Sequence, residues 1–520
     1  MRASSPAMNV SHRRRHGPPR GSGRPAAAQA SWEEVLRGFS IAFLLTGAPI
    51  ALHLASQPVA LIFCIVASIL AARAFEQDVP IIVLVANIFQ NVFISLVSVN
   101  YSTFSDIELL KSYNFVTTIV CYAVVVYGYL RQPGAFSPFV TRMMLASAGV
   151  LAIVGVYFIL GLAINPRSAV IYLRNISLPL FMFQTFLIVG VRHSIPLPQT
   201  LFVLLGLIMA CCYVELFAND AWLTLTNGFH YLDLFTEKRM LNVDEIRTAA
   251  GQGVVITSPL DYGRTNLFNT TLTADLGIQV QRLNGPNFNT ISLAYLLSIL
   301  IAFLAVNGFP LSAAIAMPLL LATSAKGPLI LALGCIGFVA VAKRARSNAP
   351  ILGLGAGLAA YALFVFLSGY RTGDYHVIGL LGGLNGFFKL PIGHTLGQGG
   401  NLSIEDFSKI DWGAFQRAGA TDTAVESAFG VLLFQMGVCV VFVIGFYLWI
   451  ARCSWRLFLL ARSPALAFAA GGILICLVNG LYQEEAYFVP LSLPVVMGLV
   501  ALTLGATDRV FPPSSARMTP

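Results

Sequence analysis

Long apolar runs, separated by shorter polar breaks, dominate the pattern of hydrophobic and polar positions in this chain. Most runs have about 17 to 25 residues, which is enough for a helix to cross a hydrocarbon core of roughly 30 Å. The pattern therefore indicates an all-α, polytopic membrane protein. We predict about 14 transmembrane helices, at about 38–55, 59–73, 79–99, 114–131, 142–163, 168–190, 197–218, 290–306, 310–324, 327–342, 350–369, 428–451, 464–482 and 486–505.

Two of the polar breaks, 219–289 and 370–427, are long enough to fold as surface elements. Each mixes charged residues with Gly, Pro, Asn and aromatic residues, which is typical of ordered loops on a scaffold. Within them we expect a weak helix at 242–250 and an amphipathic surface helix at 404–415. The loops divide the chain into an N-terminal bundle, central helices and C-terminal helices, at 38–218, 290–369 and 428–505. We expect a disordered basic tail at 1–37 and a second tail at 506–520.

Composition excludes a soluble protein. Hydrophobic residues make up 57% and charged residues 11% of the chain, against roughly half and a quarter in soluble domains. Basic residues such as Arg73, Arg131, Arg192 and Lys343 fall on one predicted side of the membrane. The net charge of +9 therefore reflects membrane orientation and not nucleic-acid binding. We predict that both termini face the cytoplasm and that both long loops lie on the opposite side.

The eight cysteines all lie in or at the ends of apolar runs, which favours packing over a disulfide framework or a metal site. No histidine pair beyond residue 37 has the spacing of metal ligands, and the sequence contains no P-loop, no GxSxG elbow and no CxxC array. We therefore predict neither a bound metal nor a cofactor.

Arg282 stands where the first long loop returns to the membrane, just ahead of Gly285 and Asn287. A guanidinium can hold a diphosphate through two parallel hydrogen bonds, and small and amide residues would let the backbone approach it. Arg282 and Asn287 are therefore candidate substrate-binding residues. The alternative for Arg282 is an interfacial arginine that reaches lipid headgroups.

Lys326 lies on the same predicted side, directly before Gly327 and Pro328. If that pair opens a helix, its backbone N–H groups and positive dipole end lie beside the ammonium group, an arrangement that holds a phosphate. The alternative is an interfacial lysine, although a basic residue on this side departs from the charge bias.

His394 is the candidate catalytic residue. It is surrounded by glycines at 393, 397, 399 and 400, whose backbone freedom can present the imidazole to a cleft. A neutral imidazole is a suitable general base for a sugar hydroxyl. The alternative is an ordinary surface histidine in a polar loop.

Further charges are predicted on the same side. Asp422 and Glu426 are four residues apart before a span, so on a helix they would share one face and orient a basic group or an acceptor hydroxyl. Solvated acids in the first turn of a helix are the alternative. Other candidate partners of the site, among which the sequence does not choose, are Arg174, Glu215, Glu484 and Glu485.

Four segments, taken in order, resemble the bacterial O-antigen ligase and repeat-unit polymerase superfamily. They are an Arg followed by Gly-Pro-Asn-Phe-Asn at 282–289, Ser-Ala-Lys-Gly-Pro-Leu at 324–329, Gly-His-x-x-Gly-x-Gly at 393–399, and Glu-Ser-x-Phe-x-x-x-Leu-x-Gln-x-Gly at 426–437. The resemblance extends over about residues 200–500.

The resemblance implies a GT-C-type glycosyltransferase of the bacterial inner membrane, with a polyprenyl-diphosphate-linked oligosaccharide as donor. It implies that Arg282 and Lys326 bind the diphosphate leaving group and that His394 activates the acceptor hydroxyl. The family usually has Ser-Arg-Gly where this chain has Ser-Ala-Lys-Gly at 324–327, which keeps the charge but loses the bidentate fork. Fixed cations can neutralise the departing diphosphate, so the scheme requires no bound metal.

We therefore expect a polymerase of surface polysaccharide repeat units, O-antigen or exopolysaccharide, with membrane lipids around it and a chain-length regulator as a candidate partner. Ligation of finished glycan to a lipid core uses the same donor chemistry and stays open. A membrane transporter or lipid flippase is the alternative from another class. It predicts ionisable residues or broken helices at mid-membrane, whereas the unusual charges here gather on one side.

Overall fold

The computed structural model describes residues 32–239, 264–269, 279–403 and 412–510, and this part of the chain is predominantly helical. The helices of the first range are α1 (Trp32–His53), α2 (Gln57–Ala74), α3 (Val79–Val97), α4 (Phe104–Leu110), α5 (Tyr113–Arg131), α6 (Pro138–Leu162), α7 (Pro166–Arg192), α8 (Leu197–Phe217), α9 (Asn219–Leu225) and α10 (Gly228–Arg239). Two short strands follow, β1 (Arg264–Asn266) and β2 (Gln279–Gln281), which pair antiparallel with Thr265 opposite Val280.

The remaining helices build the second half of the bundle. They are α11 (Thr290–Val306), α12 (Pro310–Ala322), α13 (Lys326–Arg344), α14 (Ala349–Thr372), α15 (Tyr375–Lys389), α16 (Trp412–Ala418), α17 (Ala428–Met436), α18 (Val440–Ala461), α19 (Pro464–Asn479), α20 (Glu485–Phe488) and α21 (Leu493–Val510).

Length and composition identify the helices that can cross a membrane. Eleven helical segments of the described chain are long and apolar enough to do so, and three shorter apolar helices, α11, α12 and α19, coincide with further predicted spans. The prediction of an all-α polytopic membrane protein is therefore confirmed.

The helices α7 and α14 show how the bundle is layered. In α7, 83% of the most apolar window is buried, and the helix packs along α21. In α14 the buried share is only 6%, and Leu363 and Phe364 are 58% and 70% exposed. Large apolar side chains exposed in such numbers are suited to contact with lipid, so α14 lies at the periphery and α7 in the core.

Side-chain caps start several of the helices. Asn165 accepts a hydrogen bond from the Ser168 N–H at the start of α7, and Asn289 accepts one from the Ser292 N–H at the start of α11. Ser427 does the same for α17, through the Gly430 N–H. Each cap satisfies a backbone donor that the first turn of a helix leaves unpaired, so these residues fix where the helix begins.

The turns between the long helices gather at two ends of the bundle. At one of them Arg192, at the end of α7, pairs with Glu76 after α2 at 2.8 Å, and Arg462 after α18 donates to the Ala345 carbonyl after α13 at 2.7 Å. We call this end the basic end, because it collects Arg73, Arg131, Arg192, Lys343, Arg344, Arg346 and Arg462.

The opposite end holds the long connections, and we call it the site end. There Asn479, the last residue of α19, donates to the Gly327 carbonyl at the start of α13 at 2.8 Å. Arg282, His394 and Glu426 all lie in connections at this end. The alternation of the helices therefore brings the predicted site segments to the same end of the bundle.

Several predicted boundaries differ from the structure. Helix α1 begins at Trp32, so residues 32–37 of the predicted tail are helical, and α21 continues through residues 506–510 of the second predicted tail. The predicted loop 370–427 contains α15, a helix of 15 residues that packs against α17. The predicted weak helix at 242–250 lies outside the described residues. So do residues 404–411 of the predicted surface helix, beyond which α16 begins at Trp412.

Candidate functional site

Residues 480–484, which follow α19, form a turn at the centre of the site end, and we call it the central turn. Ser427 donates its hydroxyl to the Leu481 carbonyl at 2.7 Å, which fixes the start of α17 against this turn. Tyr295 of α11 donates to Gln483 Oε1 at 2.6 Å. The central turn therefore joins α11 and α17, each of which follows a predicted site segment.

Arg282 lies directly after β2 and reaches the segment between α12 and α13. Its Nε donates to the Thr323 carbonyl at 3.2 Å, three residues before Lys326. Burial lowers the pKa of Arg282, and the nearby Glu485 carboxylate opposes that shift. A guanidinium stays protonated in proteins, so this half-buried side chain is a fixed cation beside the start of α13.

The start of α13 is tightly constrained. Ser324 has a φ of +57°, and a Cβ added at Gly327 would lie 2.5 Å from Gln483 Oε1 and 3.2 Å from the Tyr295 hydroxyl. A side chain at this position would displace the Gln483 amide, and Pro328 follows in the first turn, where its missing N–H costs no hydrogen bond. Lys326 is the first residue of the helix and its side chain is exposed.

Glu484 fastens the central turn to the loop that carries His394. Its carboxyl group is 3% exposed, accepts from the Tyr172 hydroxyl at 2.8 Å and accepts from the Asn401 N–H at 2.9 Å. Burial raises the pKa of Glu484 to about 8, although these donors act in the opposite direction. Near neutral pH the group is therefore largely protonated and serves as a neutral part of a buried network.

A second group of charges surrounds Glu485. Burial raises the pKa of Glu485 and the neighbouring Glu426 adds to the rise, whereas His376 and Arg282 act to lower it. The Glu426 Oε2 lies 3.6 Å from the His376 Nδ1. Two carboxyl groups, an imidazole and a guanidinium thus interact electrostatically beside the central turn.

The predicted helical face of Asp422 and Glu426 is wrong. Residues 419–427 are not helical, and α17 begins only at Ala428. Glu426 has a φ of +60°, and its N–H donates to Asn401 Oδ1 at 3.1 Å. The left-handed backbone is costly for a residue with a side chain, and it separates Glu426 from any helical pairing with the exposed Asp422.

His394 packs against α17. Its N–H donates to the Phe434 carbonyl at 2.9 Å, and its ring stacks on the Phe434 ring with centroids 4.1 Å apart. The Nδ1 atom is buried and has no hydrogen-bond partner within the described chain. Burial lowers the pKa of His394, so the imidazole is neutral at physiological pH and able to accept a proton.

Glycine is required next to His394. Gly393 has a φ of +91°, and a Cβ added there would lie 2.5 Å from the Gln435 carbonyl oxygen and 2.6 Å from the Gly437 nitrogen. The loop therefore lies backbone against backbone on the junction of α17 and α18, which positions the imidazole.

His394 and Arg282 make their described contacts with different neighbours. The loop after His394 passes along α7, where the Leu402 N–H donates to the Tyr172 hydroxyl at 3.2 Å, and then reaches Glu484 through Asn401. Glu484 is followed by Glu485, which interacts with Arg282. This chain of contacts connects the two residues, and a single pocket shared by His394, Arg282 and Lys326 stays a prediction.

Asn287 and Glu215 belong to the anchoring of the loop that precedes α11. The buried Glu215 carboxylate accepts from the N–H groups of Asn284 and Gly285 at 2.8 and 2.7 Å. Asn287 is 3% exposed and donates to the Asn289 carbonyl at 3.1 Å, while its Oδ1 is buried and has no partner among the described atoms. Its substrate-binding role stays a prediction. The remaining candidate, Arg174, donates to Asn175 on its own helix at 3.3 Å.

Three residues of the candidate site were not predicted from the sequence: Tyr172, His376 and Asn401. One local signal existed for His376, because Asp374 two residues earlier caps its helix by accepting from the His376 N–H at 3.0 Å. Tyr172 and Asn401 carry no such signal, since only the packing of the helices brings them to Glu484. Within the described residues, no group of three or more His, Cys, Asp or Glu side chains is arranged to hold a metal ion.

Comparison of the chain with family models, with curated proteins and with solved structures gave no match. The functional reasoning therefore depends on the site itself.

Proposed function

We propose that this protein is a glycosyltransferase of the bacterial inner membrane that polymerises surface polysaccharide repeat units from polyprenyl-diphosphate-linked donors. The observation that carries the proposal is the position of the half-buried Arg282, whose Nε contacts Thr323 immediately before the start of α13. A guanidinium beside a helix N-terminus suits a diphosphate leaving group, because both favour the negative charge that develops as the glycosidic bond breaks.

The proposed orientation follows from charge. The basic end faces the cytoplasm, because Lys and Arg residues accumulate on that side of membrane proteins. Both termini then lie in the cytoplasm and the site end faces the periplasm. Lys326 adds a second cation at the start of α13, and Asn287 and Glu426 contribute to substrate binding around it.

In the proposed reaction the neutral His394 accepts the proton of the acceptor hydroxyl. The hydroxyl oxygen forms the new bond to the anomeric carbon, and the polyprenyl diphosphate departs with the electrons of the broken bond. What supports this role is an imidazole whose pKa is lowered by burial and whose position is fixed by its stack on the Phe434 ring.

The test is a transfer assay with the purified full chain in liposomes and a synthetic polyprenyl-diphosphate oligosaccharide as donor. We expect Arg282→Gln to lower the transfer rate about 100-fold or more, because the leaving group loses its principal cation. Arg371→Gln is the matched control: it removes an exposed cation at the same end and should change the rate less than about twofold. Equal rates for the wild type and Arg282→Gln would remove the diphosphate site from this position.

His394 is tested separately. We expect His394→Ala to lower the rate about 10²- to 10⁴-fold, which is typical for loss of a general base. Because burial lowers the pKa of His394, the acid limb of the wild-type pH–rate profile should lie below pH 6.5. A variant with normal membrane expression and wild-type rates would exclude the imidazole from the reaction.

The acceptor decides between polymerase and ligase, since the donor chemistry is shared. Deletion cells that accumulate single repeat units would support the polymerase, and a chain-length regulator would then be its expected partner. Uncapped lipid core together with intact polymer would instead identify an O-antigen ligase. Movement of lipid-linked glycan without formation of a glycosidic bond would identify a transporter or flippase.

A further inference from the structure

A cavity at the basic end lies far from the proposed glycosyl-transfer site and plays no part in it. It has a volume of about 660 Å³ and lies between the ends of α2 and α5, close to the end of α7. Apolar residues of α2 and α5 form its walls, and three arginines stand at its rim. Those that the inference uses are Ala72, Arg73, Ala123, Arg131 and Arg192.

The helices α2 and α5 are in contact nearer the site end, and the cavity lies between them towards the basic end. Nearer the site end, Cys64 Sγ of α2 lies 3.4 Å from Thr117 Oγ1 of α5. Towards the basic end the lining includes small residues, Ala72 on α2 and Ala123 and Gly128 on α5. A Cβ added at Gly128 would lie 3.0 Å from Arg192 Nη1, so this glycine makes room for the guanidinium.

The charges around the cavity do not balance. Its lining includes three guanidinium groups and one carboxylate, that of Glu76, which leaves a surplus of two positive charges. Glu76 pairs with Arg192 at 2.8 Å. Arg73 and Arg131 are exposed, and the Arg131 guanidinium lies over the Tyr127 ring at 4.7 Å from its centroid. The site thus offers two exposed cations at its rim.

The apolar walls below the arginines are partly exposed. Ile119 of the lining is 37% exposed, on a helix that is long and apolar enough to be a span. A ligand that fills this space needs an anionic group at the level of the helix ends and an apolar chain along the walls. Soluble anions have only the first of these features, whereas an anionic phospholipid has both.

We propose that this cavity is a binding site for an anionic glycerophospholipid, with its phosphodiester between Arg73, Arg131 and Arg192 and one acyl chain along the groove between α2 and α5. The inference is independent of the proposed glycosyl transfer. It stands on the cavity, its two apolar walls and the surplus of positive charge.

The test is native mass spectrometry of the detergent-solubilised full chain, titrated with phosphatidylglycerol or with phosphatidylcholine. The wild type should bind phosphatidylglycerol more tightly. Each neutralised arginine near a lipid phosphate should weaken binding about fivefold, so Arg73→Gln with Arg131→Gln should weaken it about 25-fold. Arg142→Gln with Arg456→Gln is the matched control, because it removes two exposed arginines near the same end that do not line the cavity.

A second variant tests the contribution of the cavity to lipid binding separately from that of the charge. Ala123→Trp fills the groove from an exposed wall position while all arginines stay, and it should abolish the preference for phosphatidylglycerol. Inorganic phosphate should not displace the lipid. The inference would be overturned by equal affinities in the wild type and the Arg73/Arg131 variant, by an equal loss in the control pair, by an unchanged preference in Ala123→Trp, or by displacement with inorganic phosphate.

Discussion

The two ends of the bundle hold their connections together by different means. At the basic end, acids of the turn after α2 pair with arginines: Glu76 with Arg192 at 2.8 Å and Asp78 with Arg37 at 3.2 Å. At the site end, the buried acids Glu215 and Glu484 accept hydrogen bonds from backbone N–H groups and a phenol instead. An exposed ion pair, Arg167 with Glu108 at 2.6 Å, exists at the site end as well, but the two buried anchors there do not pair with its cations.

The packing of the helices around the two proposed sites differs as well. At the site end, glycines bring backbone against backbone, as Gly383 of α15 does against Gly430 of α17. At the basic end, Gly190 of α7 and Gly505 of α21 make the same kind of contact, but an open cavity separates α2 from α5. A fixed backbone suits a site where reacting groups must be held in place, whereas an open groove suits a lipid.

The largest expected effect is a dependence of stability on pH that comes from Glu484. Its folded pKa is raised to about 8 from the ordinary value of 4.5, so the folded protein holds a proton that the unfolded chain has lost between these values. Stability should therefore fall as pH rises from about 4.5 to about 8, by up to about 5 kcal/mol, and level off above that. Thermal unfolding of the solubilised protein across this range measures the effect.

The variant Glu484→Gln isolates this contribution, because its amide cannot titrate. The stability of Glu484→Gln should fall much less between pH 4.5 and pH 8 than that of the wild type. The variant Glu76→Gln, at the basic end, should show the full fall. A fall of the same size in Glu484→Gln and in the wild type would assign the pH dependence to other groups.

The next largest effect on stability is expected at Glu215, which anchors the loop before α11. Glu215→Ala leaves the N–H groups of Asn284 and Gly285 buried without their acceptor, so we expect a loss of about 2 to 4 kcal/mol in the free energy of unfolding. Amide hydrogen exchange at residues 282–289 should speed up at the same time. Glu215→Gln keeps one acceptor oxygen and should lose less; identical stability of the alanine variant and the wild type would show that the carboxylate is not the anchor.

The sequence predicted the long apolar helices because a helix that crosses a membrane needs an apolar run of fixed length. It missed α15, which is shorter than a span and contains glycines at 379, 382, 383 and 386. Glycine weakens an isolated helix, so α15 depends on its packing against α17. That contact joins residues far apart in sequence, so no local pattern predicts it.

The contacts around the candidate site residues were predictable only in part. Arg282 and Lys326 stand out because each is a charge at a break between apolar runs. The network of Tyr172, Asn401 and Glu484 could not be predicted, because the register of packed helices alone brings these residues together. The error at Glu426 has a related cause: acids four residues apart suggest a helix, but the left-handed backbone at +60° is set by contacts with Asn401 and the central turn.

Substitution of a closely packed glycine at the site end should have a smaller effect on the free energy of unfolding. In Gly383→Ala the new Cβ would lie 2.5 Å from the Gly430 carbonyl oxygen and 2.6 Å from its Cα, so α15 and α17 must separate. Overpacking of this kind costs about 1 to 3 kcal/mol, which a thermal unfolding midpoint would register. Gly353→Ala is the matched control on α14, where an added Cβ meets nothing within 4 Å. Equal midpoints for the two variants would mean that backbone contact does not stabilise this end.

The smallest effect is expected at the basic end. Arg37 pairs with Asp78 at 3.2 Å, but its side chain is 39% exposed, so solvent screens the interaction. Arg37→Ala should therefore lower the free energy of unfolding by about 1 kcal/mol or less, and added salt should reduce the difference further. Thermal unfolding at low and high salt, beside the Glu215→Ala variant, measures both. A loss as large as that of Glu215→Ala would erase the contrast, because it would show that exposed ion pairs stabilise the basic end as strongly as buried hydrogen bonds stabilise the site end.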